Sequence, residues 1–400
     1  GGLQLWACCD DQKDPISLLC ATKMLGRQLV VPASRSFTSF SSRFHAPFSA
    51  RHTPRFPKPV PAHRCGLLAP LSSSVQYDPA PGKGSISGPH STIATSNPQE
   101  AFVCKLFDRL WCTYRDRVSY VRTYESLVVE KGATFFNDHI ALRTIALQDS
   151  RTGISSISRL FEALGYRSAE CYNFEDKHLS AVYFQHPHPK LPKLFVSEIK
   201  VWELSQDAEQ RIARTLFSHS PDHVTDDLLR RLRAVGGGAA PPTHEEEEAL
   251  LLEAVGCLEK PSWNTPDLED VEAVHKESQY AAWVMVHGYN VNHFTSLINS
   301  HKVPGLDDIE STSAALEGAG VPMKGQIEGD RGTSLRQTAT EAVEIEVPVS
   351  VRGEMSTTMW PYAYFELAQR DQVGGAPRYE GFKSTQATHL FEMTQHHVKN

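Results

Sequence analysis

A histidine and an arginine stand four residues apart in the stretch FFNDHIALRTIAL, which covers residues 135–147. The stretch predicts a β-strand, whose two-residue period puts His139, Ala141 and Arg143 on one face. Four strand residues span about 13 Å, so the imidazole and the guanidinium would not meet. A metal-binding histidine and an arginine that holds the far end of a small anion fit this separation. A half-buried strand with two unrelated polar residues is the alternative.

Two further segments each supply one good metal ligand. WVMVHGYNVNHFTSLI, at 283–298, predicts a strand through His287 that runs into a polar turn carrying His293. MWPYAYFELAQRD, at 359–371, predicts an aromatic strand with Glu366 in its middle. Two neutral imidazoles and one carboxylate form the facial triad of non-haem Fe(II) enzymes, which leaves open positions for substrate and oxygen.

The spacing of these ligands does not decide between two histidines. His287 lies inside the predicted strand, which suits a ligand, so it remains an alternative to His293. No local pattern such as His-x-x-x-His ties the candidates together. Taken one at a time, His293 is also compatible with an ordinary turn and Glu366 with a solvent-facing or paired strand residue.

The order of predicted elements repeats along the chain. The first pass reads as strand, helix and three strands, at 135–147, 154–167, 168–174, 178–185 and 193–204. A second pass of the same order begins near Tyr280. His139 stands 26 residues before Gly165, and His293 stands 25 residues before Gly318. The repetition predicts an α+β fold of two βαβββ units, the vicinal-oxygen-chelate type, which forms a cup around one metal.

The predicted units leave a stretch of different character between them. We expect the first unit at 98–205, a helical insertion at 206–275 and the second unit at 276–400. Amphipathic patterns and the flexible joint GGGAAPP at 236–242 support the insertion. Its run Glu245–Glu248 predicts a helix start, where the macrodipole favours anions, more readily than a cation site.

Composition excludes several classes of function. A net charge of -7 and an isoelectric point near 6.2 argue against nucleic acid or an anionic membrane as the main partner. No apolar run approaches the roughly 20 residues that span a bilayer. The eight cysteines form no CxxC motif, so we expect reduced thiols in the folded part.

The first ninety residues predict a targeting segment. No acidic residue occurs from Pro15 through Tyr77, whereas arginines alternate with serine, threonine and proline. This composition is typical of an organelle transit peptide followed by a disordered linker. Its hydroxyl-rich character favours a plastid over a mitochondrion. A basic disordered tail or translated upstream sequence is the alternative.

Four motifs resemble one known family. FFNDHIALRT, GYNVNHFT, YFELAQRD and the terminal GFKSTQATHLFE are similar to motifs of the 2-oxoadipate dioxygenase/decarboxylases, and most so to their plant branch. The resemblance runs from about residue 101 to the end of the chain. It implies His139, His293 and Glu366 as iron ligands and Arg143 as the anchor of a substrate carboxylate. It also implies that Ser384 lies near the substrate.

The resemblance implies a specific reaction. Members of the family use Fe(II) and O2 to convert 2-oxoadipate to 2-hydroxyglutarate with release of CO2, a step in lysine catabolism. Two other functions remain open from the residues. One is a non-redox isomerase or lyase of the same fold with another metal such as Zn or Mn, and the other is a non-catalytic plastid binding protein.

Overall fold

A mixed β-sheet carries the predicted site residues. The computed structural model describes residues 88–219, 223–237, 242–386 and 391–394, so the predicted transit segment lies outside the described residues apart from 88–90. The nine strands of these ranges are β1 (Asn137–Ala146), β2 (Arg167–Phe174), β3 (Leu179–Gln185), β4 (Lys193–Lys200), β5 (Val291–Leu297), β6 (Arg336–Ala339), β7 (Val343–Val351), β8 (Glu354–Ala363) and β9 (Glu366–Gln369). Seven of them form one sheet in the order β2-β3-β4-β1-β5-β9-β6, and β7 pairs with β8 in a separate hairpin.

Helices lie before the first strand and between later strands in the chain, and several of them pack on the sheet. The nine α-helices of the described residues are α1 (Pro98–Arg117), α2 (Ser119–Glu130), α3 (Gly153–Ala163), α4 (Gln206–Leu216), α5 (Asp226–Gly237), α6 (His244–Glu259), α7 (Leu268–Glu277), α8 (Gln279–His287) and α9 (Ile309–Gly318). Helices α4 to α7 occupy the stretch for which a helical insertion is predicted. Helices α1 and α2 lie before β1, in a stretch for which the sequence pattern predicts no element.

The two halves of the sheet meet at β1 and β5, which pair in antiparallel fashion. β1 pairs in parallel with β4, the last strand of the first half, and β5 pairs in parallel with β9, the last strand of the second. The first half, β1-α3-β2-β3-β4, has the predicted βαβββ order. The second half departs from it, because β7 and β8 leave the sheet as a hairpin.

Different helices pack against the two faces of the sheet at β1 and β5. On one face Phe294 of β5 packs against two aromatic rings of α1, Trp111 at 5.0 Å and Tyr114 at 5.1 Å between ring centroids. On the other face Trp283 of α8 lies against the guanidinium of Arg143 in β1. Strand alternation therefore turns the predicted site residues toward α8 and away from α1.

The acidic run Glu245–Glu248 begins α6, as predicted. Thr243 and Glu246 form a reciprocal capping box at this end, which satisfies backbone N–H groups that the helix cannot pair internally. Glu247 also accepts a 2.6 Å bond from Lys105 of α1. The run therefore starts a helix and links the insertion to α1.

The strand predicted through His287 is wrong, because Gln279–His287 is a helix. The Ser278 side chain accepts a hydrogen bond from the backbone N–H of Ala281 and caps its N-terminus. Every residue from Tyr280 to His287 is buried, so the helix is apolar on all sides and shows no helical period in the sequence. A short apolar run of this kind cannot be assigned from its pattern alone.

The turn predicted for His293 is also wrong. The chain turns earlier, at Gly288, whose φ of +73° favours glycine. A Cβ atom there would lie 2.7 Å from Cα of Pro261, so a larger residue would collide with the backbone. After this turn β5 begins at Val291, and His293 is its third residue. The histidine therefore stands on a strand, like His139.

Glu366 begins a strand and does not lie in the middle of one, contrary to the prediction. β8 ends at Ala363, and Glu366 is the first residue of β9. Thr340 stabilises the break between β8 and β9. Its backbone N–H donates to the Phe365 carbonyl at 2.9 Å, and its hydroxyl accepts from the Phe365 N–H at 3.0 Å. The aromatic composition is continuous across the break, so the sequence conceals it.

The structure describes four of the cysteines. Cys104, Cys112, Cys171 and Cys257 form no disulfide with one another. Among the described residues, no helix combines the length and the apolar character that crossing a bilayer requires.

Candidate metal centre

The pairing of β1 with β5 brings the predicted ligands onto one face of the sheet. His139 lies opposite Thr295, whose Oγ1 is 3.0 Å from its Nε2 atom, and His293 lies opposite Ala141. Glu366 lies opposite Thr295 on the next strand. Residues that face each other across neighbouring strands project to the same side. As a result, the two imidazoles and the carboxylate each offer a ligand atom within 4.8 Å of the others.

The orientation of the two rings fits a cation. Nε2 of His139 lies 3.8 Å from Oε1 of Glu366, and Nε2 of His293 lies 3.1 Å from Oε2. On the far side of each ring, Nδ1 of His139 lies 2.9 Å from Asp138 Oδ2 and Nδ1 of His293 lies 3.0 Å from Asn292 Oδ1. Because these oxygens accept hydrogen bonds, Nδ1 carries the proton and the Nε2 lone pairs face the carboxylate. This buried His-His-Glu set could hold one metal ion.

Burial and charge favour the protonation states that a metal needs. Burial lowers the pKa of His293 from its usual value, although Glu366 opposes the change. Burial alone would raise the pKa of Glu366, but the two histidines and the Gln337 amide together bring it below its usual value. At neutral pH a neutral imidazole therefore faces an ionised carboxylate, and metal ligands must be in these forms.

Two further residues contact the candidate ligands, and the sequence pattern predicts neither of them. The Gln337 side-chain amide donates to Oε1 of Glu366. The ring of Tyr364 stacks on the imidazole of His293, with centroids 4.7 Å apart. Tyr364 lies two residues before Glu366, a spacing that could have suggested a shared face. Nothing local marks Gln337, which reaches Glu366 only through the pairing of β6 with β9.

Arg143 lies at the other end of the same cavity and is 2% exposed. Its guanidinium lies over the rings of Tyr280, at 5.0 Å, and Trp283, at 5.3 Å. The Tyr364 side chain forms a hydrogen bond with it, and burial lowers the pKa of Arg143 from its usual value. The aromatic walls thus shield the charge from water and hold the guanidinium in one orientation.

The other hydrogen-bond acceptors of Arg143 are neutral. Nη1 donates to Oγ1 of Thr394 at 2.7 Å, and Nη2 donates to the carbonyl of Phe391 at 3.3 Å. Nε has no hydrogen-bond partner among the described residues. Within the part of the chain that the structure describes, no carboxylate pairs with Arg143. A buried cation without a counter-charge is costly, so this end of the cavity favours an anion.

One cavity of about 30 Å³ connects the candidate ligands with Arg143. Its wall also includes the apolar rings of Phe195, Phe382 and Phe391. Ser384 is exposed and does not line this cavity, whereas Phe382, two residues earlier, does. The substrate contact predicted for Ser384 stays a prediction.

His287, the alternative ligand, is not part of the group of three. Its Nε2 atom lies 2.9 Å from the carbonyl of Pro361, and its ring packs against Trp283 and Tyr362. Burial lowers the pKa of His287 to about 3, so it is a neutral core histidine. The structure therefore places His293, and not His287, beside Glu366.

The chain is similar to curated plant proteins over most of its length. It is 25% identical over 354 residues to a protein of Oryza sativa subsp. japonica named 2-oxoadipate dioxygenase/decarboxylase, chloroplastic/amyloplastic; the match covers 81% of this chain and 84% of the rice protein. It is 26% identical over 285 residues to the chloroplastic protein of the same name from Arabidopsis thaliana, covering 64% and 67% of the two chains.

Solved structures share the fold. A glyoxalase superfamily protein from Ralstonia eutropha JMP134 matches with a TM-score of 0.61 at 25% identity, over 69% of this chain and 85% of that protein. The hydroxyglutarate synthase from Oryza sativa, solved in complex with 2-oxoadipate, matches with a TM-score of 0.60 at 23% identity, over 81% and 98%. These matches confirm the predicted α+β fold of the vicinal-oxygen-chelate type.

The family itself is identified by sequence. The sequence model described as 2-oxoadipate dioxygenase/decarboxylase matches residues 110–398, which include every residue of the candidate metal centre and Arg143. The match covers more than half of the chain and agrees with the plant relatives and with the fold. The chain belongs to the 2-oxoadipate dioxygenase/decarboxylase family.

Proposed function

We propose that this chain is an Fe(II)-dependent dioxygenase that decarboxylates 2-oxoadipate to 2-hydroxyglutarate. The observation that carries the proposal is one buried cavity with a candidate metal centre at one end and the Arg143 guanidinium at the other, which pairs with no carboxylate of the described residues. A 2-oxo dicarboxylate has the matching groups, an oxo acid at one end and a carboxylate at the other. The names of the rice and Arabidopsis relatives support the same substrate.

His139, His293 and Glu366 would hold one ferrous ion, because two neutral imidazoles and a carboxylate favour Fe(II) and leave positions open for other ligands. The bound ion supplies a chelating site for the 2-oxo acid group and the activation of O2. Asp138 and Asn292 act behind the ligands: by accepting from Nδ1 they keep both Nε2 atoms turned toward the ion.

Arg143 would bind the distal carboxylate of the substrate. The carboxylate replaces Thr394 Oγ1 and the Phe391 carbonyl as acceptors, exchanging neutral partners for a counter-charge. A bidentate pair of this kind contributes roughly 1.5–3 kcal/mol, which is lost when the acid is too short. The rings of Phe195 and Phe382 line the cavity and would exclude water around the methylene chain.

The overall reaction balances without a further reductant. One molecule each of 2-oxoadipate and O2 gives one each of 2-hydroxyglutarate and CO2. 2-Oxoadipate supplies the carbon that is oxidised, and O2 is the oxidant that is reduced. Turnover therefore needs no further oxidant or reductant. We propose that the reaction serves lysine catabolism, as the family resemblance implies.

The metal dependence of oxygen uptake tests the proposal. We expect metal-free protein that is reloaded with Fe(II) to consume O2 when 2-oxoadipate is added, and protein loaded with Zn(II) or Mn(II) not to do so. Conversion of 2-oxoadipate with Zn(II) or Mn(II) and no oxygen uptake would favour an isomerase or lyase. Absence of any conversion, despite bound metal, would favour a binding protein.

We propose further that the protein acts in a plastid. The acid-free, hydroxyl-rich segment from Pro15 through Tyr77 and the chloroplastic or amyloplastic names of the relatives support this location. Residues 1–90 fused to a fluorescent protein should direct it to plastids of plant cells. Retention of the fusion in the cytosol, or its delivery to mitochondria, would contradict the proposal.

A further inference from the structure

A second cluster of buried charges lies directly behind the candidate metal centre. The side chains of Asp138 and Arg370 have no exposed surface and form two contacts, Nε to Oδ1 at 2.6 Å and Nη2 to Oδ2 at 2.8 Å. Lys193 lies 3.6 Å from the same carboxylate and 2.6 Å from Glu380. The cluster contains two cations and two anions, so it adds no net charge beside the metal centre.

The cluster supports only one of the two candidate histidine ligands. Asp138 accepts from Nδ1 of His139 and is itself held by the fork of Arg370. His293 is supported at the same ring position by a neutral amide, that of Asn292. A carboxylate behind an imidazole raises its basicity as a ligand and fixes its orientation more firmly than an amide does. Arg370 therefore acts on His139 through Asp138.

Arg370 also holds a segment of the cavity wall. Its remaining nitrogen, Nη1, donates to the carbonyls of Tyr379 at 3.0 Å and Gly381 at 2.8 Å. Its guanidinium lies 5.3 Å from the ring centre of Phe382, and that ring meets the His139 imidazole edge-on at 4.8 Å. The two sequence motifs YFELAQRD and GFKSTQATHLFE thus meet at this one side chain.

We propose that Arg370 is a positioning residue for the metal centre. Through Asp138 it orients His139, and through the carbonyls of residues 379 and 381 it holds Phe382 against the same imidazole. The Arg370 guanidinium then positions both a candidate ligand, His139, and the part of the cavity wall beside it, Phe382. The metal part of this inference rests on the proposed function, whereas the part that concerns Phe382 does not.

The test must separate positioning from simple stabilisation of the fold. Arg370→Lys keeps the charge but loses the planar fork, so it cannot contact Asp138 twice and reach both carbonyls. Arg336→Lys is the matched control, because Arg336 is also buried and forms a bidentate pair with Glu310 at 3.0 and 2.5 Å. The control pair contacts none of the candidate metal ligands.

Three measurements are made on the whole protein. Chelator competition and the visible absorption spectrum with Co(II) report the metal site, and hydrogen exchange at residues 379–382 in metal-free protein reports the wall. We expect Arg370→Lys to weaken Co(II) binding by about 10–100-fold, to alter the Co(II) spectrum and to speed exchange at 379–382. Arg336→Lys should leave all three unchanged.

Two results would overturn the proposal. One is that Arg370→Lys binds Co(II) with the affinity and the spectrum of the wild type, and the other is that Arg336→Lys shows the same changes as Arg370→Lys.

If Arg370→Lys does not fold, the double variant Asp138→Asn with Arg370→Gln removes both charges together and leaves no unpaired ion. The same losses are expected from it, and unchanged Co(II) binding by the double variant would also overturn the proposal. If wild-type protein binds no Co(II), the proposed function fails, and exchange at 379–382 alone decides the role of Arg370.

Discussion

His293→Ala is expected to lose bound iron and to abolish turnover. The imidazole provides one of three ligand atoms that lie within 4.8 Å of one another, and alanine leaves only His139 and Glu366. Loss of an outer partner typically weakens a metal site 10–100-fold, so loss of a ligand should cost more than about 100-fold in affinity. Iron content after dialysis and the rate of 2-oxoadipate conversion measure the two effects.

His287→Gln is the matched control for this prediction. His287 is also a buried histidine, six residues earlier, but its Nε2 atom contacts a backbone carbonyl and no metal ligand. Glutamine retains a donor for that carbonyl, so the control should keep its iron. A His293→Ala protein with full iron content, beside a His287→Gln protein without iron, would show that the wrong histidine has been assigned.

Arg143→Lys is expected to lose selection for the second carboxylate of the substrate while retaining iron. Lysine keeps the positive charge but cannot form a planar bidentate pair. Loss of that pair should cost about 2 kcal/mol, which corresponds to roughly 30-fold in kcat/KM. The candidate metal ligands are unchanged, so iron content should match that of the wild type.

The informative comparison is between 2-oxoadipate and a 2-oxo acid of the same length that lacks the second carboxylate. Wild-type protein should strongly prefer the diacid, and Arg143→Lys should prefer it far less. Equal preference in the two proteins would mean that another residue binds the distal carboxylate. The buried guanidinium, which pairs with no carboxylate in the described ranges, would then need a different explanation.

The parts of the site that follow strand alternation could be predicted from the sequence. His139 and Arg143 line one cavity because a strand repeats every two residues, and this period is visible in FFNDHIALRT. Only the resemblance to the family favours His293 over His287. Spacing favours neither, because the buried helix α8 shows no helical period and its sequence resembles that of a strand.

The contacts that tie the site together could not be predicted in this way. Asp138 and Arg370 are 232 residues apart, and their pairing depends on how β1 and the chain after β9 meet in the fold. The same is true of the Gln337 amide, which reaches Glu366 through the register of β6 with β9. A single sequence carries local patterns, whereas these contacts arise from tertiary packing.

The stoichiometry of turnover tests the central claim most directly. Fe(II)-loaded protein is supplied with 2-oxoadipate in a closed vessel, and the O2 consumed, the CO2 released and the 2-hydroxyglutarate formed are measured together. We predict equal amounts of all three and no conversion when O2 is removed. Conversion of 2-oxoadipate without O2, or oxygen uptake without a matching release of CO2, would contradict it.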